Sequence, residues 1–526
     1  MPSDSRPVRV ATARGAEGAN PTVTGRLSVV DEIFLRTHRG LGTPIALQGL
    51  WRTADRVDPE LLRQVHAALR VGPLGRRVIR PRVPGARRSW RPNTRAYPLE
   101  FTAGTIADRD LLQWADRQGA DLDPEYGPGW RLSVAALDDG GSIVSLTCSH
   151  ALADGRALVL AVDDALGGAS LTAPTARSTR SFAKSTAPEP DNSGTTQTTG
   201  GARGVSSASD PILTSNADAA TSAAQELGQP SRRSSWSATS AARESDRVDS
   251  AHKPARLDRA ADVRAPDSDW SDAWRQWSIV VRGTVRALRH GIPDRPARGR
   301  GPSIDARTRV QAAPTHSVIV QCPAADWELA ATAYGGTANS LFIALIAKML
   351  WASGFPGATI AASLPVDTRD EPRVDNDLAM TEISIDRADT PATILQKSRI
   401  AYERRMSSPG GIPEELLQVI PDRCAYALSK GAGERDILCS NIGTLPDSLC
   451  ALGPHRCTGV AARAIHPGLT ADHLPRTRLS GYLCRIADTY TLAIVSLDPD
   501  RIAAPETLRN LVHETTTALW LPITLW

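Results

Sequence analysis

Cys148-Ser149-His150-Ala151-Leu152-Ala153-Asp154-Gly155-Arg156 places a histidine where a run of strand character ends, then a short turn, then an aspartate at the start of an apolar helix expected over Arg156–Leu166. A strand end fixes an imidazole rigidly, and a neutral histidine near its ordinary pKa of about 6.5 accepts a proton at working pH. Asp154 stands where a helix N-cap belongs. Two readings of His150 stay open on the residues alone. One is a general base; the other is a buried histidine bonded to backbone beside a helix cap.

Upstream, Trp130–Ala136 and Ser142–Cys148 flank Asp138-Asp139-Gly140-Gly141 and read as a β-hairpin ending at the histidine. Further back, Leu61, Leu62, Val65, Ala68 and Leu69 share one helical face that starts at Asp58-Pro59. Downstream, from Gly168 to about Arg264, the chain becomes Ser, Thr, Ala, Arg and Pro without sustained periodicity. Such a stretch cannot bury enough apolar area to offset an ordering cost of roughly 1–2 kcal/mol per residue. Trp270, Trp274, Trp277, Val281 and Val285 then mark an amphipathic helix.

A second half opens near His316. The pattern predicts a strand over His316–Cys322, a helix over Ala324–Tyr334, and an apolar helix over Ala338–Trp351 that is capped by Thr337 after Gly335-Gly336. Strands follow at Thr359–Val366 and Met380–Asp386, with helices at Pro391–Met406 and Pro413–Val419. A hairpin spans Leu479–Ile486 and Thr491–Leu497, and the last helix runs over Pro505–Leu519.

The expected class is α+β (mixed α/β). Its parts are a disordered N-terminus at 1–23, a first domain at 24–167, a disordered insertion at 168–267, a bridging helix and loop at 268–311 and a second domain at 312–526.

Composition narrows the function. Sixty-one basic and 57 acidic residues leave a net charge of +4 over 526 residues, too little to favour nucleic acid. Seven widely spaced cysteines read as reduced thiols, which points to a cytoplasmic protein. The most apolar run, Leu341–Ala352, is interrupted by Lys348 and falls short of the roughly 20 residues that span a bilayer. Cys450, His455, Cys457, His466, His473 and Cys484 crowd together without metal-site spacing, so no metal is expected. Arg76, Arg77, Arg80, Arg82, Arg87, Arg88 and Arg91 read as a solvated basic loop, with a phosphate or acidic-carrier contact as the sharper alternative. No Walker loop, dinucleotide fingerprint or serine-hydrolase elbow occurs.

The segment around His150 resembles the HHxxxDG signature of the chloramphenicol acetyltransferase-like superfamily, which includes condensation domains, wax ester synthase/diacylglycerol acyltransferases and polyketide-associated acyltransferases. Ser149 replaces the first histidine. Leu27-Ser28-Val29-Val30-Asp31-Glu32-Ile33-Phe34, Gly336-Thr337-Ala338-Asn339-Ser340, Pro365-Val366-Asp367-Thr368-Arg369 with Asn376-Asp377, and Ser440-Asn441-Ile442-Gly443 are similar in kind and order to stretches of these relatives.

The resemblance implies two domains in a V with a tunnel between them, His150 as general base, and Asp154 held by Arg369 beside Gly155. Ser149, Asn339, Asn376, Ser440 and Asn441 are the implied tunnel candidates, and the Gly155 backbone and Ser440 the suggested oxyanion donors. The implied partners are acyl-CoA or an acyl carrier protein and a small hydroxyl or amine acceptor, with no cofactor and a monomeric chain. A catalytically inactive binding or scaffold protein of the same fold is the alternative, with Ser149 and the long insertion as signs of drift.

Overall fold

Ser28 opens the first helix with a reciprocal cap. Its hydroxyl accepts from the Asp31 N–H at 3.0 Å while the Asp31 carboxylate accepts from the Ser28 N–H at 2.8 Å, fixing helix α1 (Val29–His38). These residues belong to a computed structural model that describes 25–172, 268–290, 312–403, 418, 420–429 and 434–526, without the side chains of 169–172 and 283–290. The expected disordered N-terminus, nearly all of the expected insertion and, apart from Gln418, the helix read over Pro413–Val419 lie outside the described residues.

Strand β1 (Ala46–Thr53) follows, then helix α2 (Pro59–Val71), which starts on Asp58 with Pro59 in its first turn. It buries Leu62, Val65 and Leu69, the face that the 3.6-residue period marks. Strands β2 (Arg76–Ile79), β3 (Ser89–Pro92) and β4 (Glu100–Ile106) and helix α3 (Leu111–Arg117) lead to the hairpin of β5 (Trp130–Leu137) and β6 (Ser142–Ser149). Helix α4 runs over Gly155–Thr172, so position 168 lies inside a helix and not at the start of an irregular segment. Helix α5 spans Asp269–His290.

The second half begins with β7 (His316–Pro323), α6 (Ala324–Ala333) and α7 (Ala338–Ala352). Thr337 caps α7, and Gly335 takes the left-handed φ of +67° that ends α6. Then come β8 (Thr359–Asp367), β9 (Leu378–Asp386), α8 (Pro391–Glu403), α9 (Asp422–Ser429) and β10 (Ile437–Thr444). The last elements are β11 (Ala451–Leu452), β12 (His455–Ile465), β13 (Leu479–Ile486), β14 (Thr489–Ser496), α10 (Pro505–Ala518) and β15 (Thr524–Leu525). Helix α7 is buried around most of its girth, which makes it a core helix of the second sheet. Among the described residues no single helix is long and apolar enough to cross a membrane.

The architecture is mixed α/β with two main sheets, a six-stranded one in the order β11-β12-β1-β6-β5-β4 and a seven-stranded one in the order β15-β7-β14-β13-β10-β8-β9. Sequence order does not respect the two halves. Strand β12 leaves the second half and pairs antiparallel with β1, from Ala46 opposite Ile465 to Arg52 opposite Gly459. Leu50, Trp130, Leu146 and Val162 lie in the core of the first sheet, and Val320, Trp327, Phe342 and Val512 in that of the second.

Candidate active site

His150 follows β6 directly. Ala46 of β1 pairs with Ser149 on one side and Ile465 on the other, so His150 and His466 leave the same end of the sheet on strands that flank β1. The His150 ring stacks on Phe34 of α1, with centroids 3.5 Å apart and planes 11° from parallel. Asp31 and Phe34, three residues apart, share one face of that helix.

The second half supplies the other contacts. Asn376, in the turn between β8 and β9, places its Oδ1 3.2 Å from His150 Nδ1. Its Nδ2 donates to Asp31 Oδ1 at 2.8 Å, to the His150 carbonyl at 2.9 Å and to the Ala151 carbonyl at 3.2 Å. Three acceptors around Nδ2 fix the carboxamide, so Oδ1 must accept and His150 Nδ1 must donate. That tautomer leaves Nε2 as the basic nitrogen. Burial pushes the His150 pKa below its ordinary value, against the pull of the Asp154 carboxylate, and keeps the ring neutral at working pH.

Asp154 has both oxygens engaged. Oδ1 accepts from the Ala157 N–H at 2.9 Å and caps α4, while Oδ2 accepts from Arg369 Nη2 at 2.5 Å and the Asp377 N–H at 3.1 Å. The Asp154 and Arg369 side chains are 6% and 5% exposed, so this pair is shielded from solvent where the halves meet. Arg369 Nη1 also donates to Asp367 at 2.7 Å and its Nε to the Arg373 carbonyl at 3.0 Å. A carboxylate so saturated with donors serves to hold the loop, not to carry protons.

The remaining candidates divide. Ser149 is buried as the last residue of β6. Asn376 is also buried and binds the ring. Asn339 and Asn441 join across the start of α7 and β10, Asn441 Nδ2 donating to Asn339 Oδ1 at 3.0 Å, and Asn339 donates to the Tyr402 hydroxyl at 3.1 Å. Ser440 is half-buried on the same strand. Gly155 faces Ile442 of β10, and a Cβ there would sit in ordinary contact at 3.6 Å. Its N–H opens α4, where helix geometry supplies no partner. A cavity of about 200 Å³ among Ala344, Lys348, Trp351 and Arg387 includes no residue of the His150 group.

Sequence reasoning missed three parts of this site. Phe34 closes the Leu27–Phe34 stretch, but its stacking on the imidazole was not foreseen. The Asp31–Asn376 bond joins residues far apart in the chain. His466, read only for metal-site spacing, donates from Nδ1 to the Pro44 carbonyl at 2.8 Å, and its buried Nε2 has no hydrogen-bond partner among the described residues. Burial lowers its pKa to about 4, so it too is neutral.

Nearby groups have other duties. Burial pushes the Cys148 thiol up to about 12, which removes it as a nucleophile at neutral pH. The arginine-rich loop is only partly the solvated face expected: Arg77, Arg80, Arg82 and Arg91 are exposed, but distant carboxylates reach into the loop. Arg87 pairs with Asp272, Arg88 with Glu32 and Asp422, and Arg80 with Glu125, while buried Arg76 donates to the Leu152 carbonyl at 2.5 Å. Among the described residues no three His, Cys, Asp or Glu side chains converge as metal ligands.

No family model and no curated protein matches the chain. Solved structures do. The first condensation domain of the CDA synthetase superposes with a TM-score of 0.50 at 12% identity, covering 96% of this chain and 100% of that one. The condensation domain of Monacolin K polyketide synthase gives 0.50 at 10% identity over 94% and 96%. The wax ester synthase/diacylglycerol acyltransferase from Marinobacter aquaeolei VT8 gives 0.47 at 12% identity over 94% and 100%. At such identities the likeness is one of architecture. The chain shares the fold of these two condensation domains.

Proposed function

We propose that this protein is an acyltransferase that moves an acyl group from a thioester, acyl-CoA or a carrier-bound acyl chain, to a small hydroxyl or amine acceptor. The observation that carries the reading is the His150–Asn376 bond, which makes Nδ1 the donor and leaves Nε2 as the basic nitrogen of the ring.

Nε2 removes the acceptor proton as the acceptor oxygen or nitrogen attacks the thioester carbon. The C–S bond then breaks as the carbonyl re-forms, and the imidazolium returns the proton to the departing thiolate. No covalent enzyme intermediate is required. Two substrates meeting from opposite sides of the seam gain several kcal/mol from orientation alone. The Gly155 N–H and the Ser440 hydroxyl are the proposed oxyanion donors.

The test is release of free thiol from a panel of acyl thioesters, with and without hydroxyl and amine acceptors. Wild type should show acceptor-dependent release, and His150→Ala should lose at least a hundredfold. Equal rates for the two proteins, including no turnover by either across the panel, would leave binding or scaffolding as the function.

A further inference from the structure

Helix α5 shows two faces of different character. Inward, Ala273, Gln276 and Val280 are buried, and two carboxylates lock the orientation. Asp272 accepts from the Arg87 backbone at 2.7 Å and from its guanidinium at 3.0 and 2.7 Å, and Asp269 accepts from the Arg82 N–H at 2.8 Å. The helix therefore cannot roll to hide its other side.

Outward, Trp270, Trp274, Trp277 and Val281 form one stripe and stand 76%, 78%, 47% and 57% exposed. Exposed Arg82 beside the helix start, with Arg275 and Arg282 along the flank, adds positive charge. We propose that this stripe docks the protein in the plane of an anionic lipid bilayer.

Three observations favour a bilayer over a protein partner. Tryptophan is the residue suited to a membrane–water boundary, since its ring enters the acyl region while the indole N–H meets headgroups. Cations beside an apolar stripe on an in-plane helix match an anionic surface. The stripe offers roughly 400–500 Å² of apolar area, short of the about 800 Å² per partner of a stable protein interface. A bilayer needs no matched surface, because depth of insertion and headgroup charge supply the binding. The docking is peripheral, with the chain on the surface and not through it.

The test is co-sedimentation of the full chain with vesicles of phosphatidylglycerol and phosphatidylcholine, and of phosphatidylcholine alone, at low and high salt. Wild type should pellet with the anionic vesicles and shift its tryptophan emission to the blue. Trp270→Ser/Trp274→Ser should bind about tenfold more weakly while keeping the wild-type unfolding temperature, and Arg275→Glu/Arg282→Glu or high salt should weaken binding similarly. Wild type left in the supernatant, or either double variant pelleting as wild type does, overturns the proposal. So does light scattering that finds a dimer which the tryptophan variant dissolves, since the stripe would then be a protein interface. None of these readouts depends on acyl transfer.

Discussion

The carboxamide of Asn376 links the two halves through one imidazole, accepting from His150 Nδ1 at 3.2 Å while donating to Asp31 Oδ1 at 2.8 Å. Burial raises the Asp31 pKa, and the Asn376 donor and the Arg76 charge offset part of that cost. Asn376→Ala removes the group that dictates which ring nitrogen holds the proton. We expect kcat to fall about a hundredfold with KM nearly unchanged, because a ring in the wrong tautomer is present but idle. Nitrogen chemical shifts of His150 should report Nδ1–H in wild type and a mixture in the variant. An unchanged kcat, with Nδ1–H still dominant, would mean that the bond does not set the tautomer.

The shielded pair of Asp154 and Arg369 has a stability consequence. Arg369→Ala strands the Asp154 carboxylate away from water and should cost about 3–5 kcal/mol, whereas Asp154→Ala leaves Arg369 its Asp367 partner and should cost less from the lost pair. The Asp154 variant also loses a helix cap, worth about 1 kcal/mol. A double-mutant cycle in urea should show strong coupling. Additive losses would mean that the pair contributes little beyond each residue's own packing.

Both neutral histidines at the seam shape the acid response. Their pKa values lie below the ordinary one in the folded chain, so the unfolded chain binds more protons as pH falls below about 6.5. Stability should be level above that point and decline on acidification, the His466 share ending near pH 4. His466→Gln should flatten the decline, read from urea midpoints near neutrality and near pH 5. Activity should fade in the same direction, because protonated His150 is no base.

Asp422 lies between Arg36, Arg39 and Arg88 and draws α9 against the first half. Asp422→Ala leaves three guanidiniums without their shared partner. Glu32 and Glu125 compensate in part, so a loss of about 2 kcal/mol is expected. Hydrogen exchange should quicken over α9 and not over β13. Unchanged exchange over α9 would show that the cluster is dispensable.

The outline of the molecule was legible wherever short-range signals agree. Asp58-Pro59 marks α2, the turn after Leu137 marks the hairpin that ends at His150, and Thr337 marks α7. What escaped was whatever depends on residues distant in sequence. Arg87 and Arg88 look solvated until Asp272, Glu32 and Asp422 arrive from three other helices. Asn376 looks like a wall residue until Asp31 and His150 occupy its two ends. The stretch that becomes β12 was passed over because its cysteine and histidine content drew attention from its strand pattern.

That strand has a consequence for how the protein comes into being. Ala46 emerges early in synthesis, yet Ile465, which covers it, follows about 400 residues later. Until then one rim of the nascent sheet presents bare backbone amides and carbonyls, an invitation to wrong pairing. Fragments cut after α4 should therefore clump when expressed alone and recover solubility when the remainder is supplied in trans.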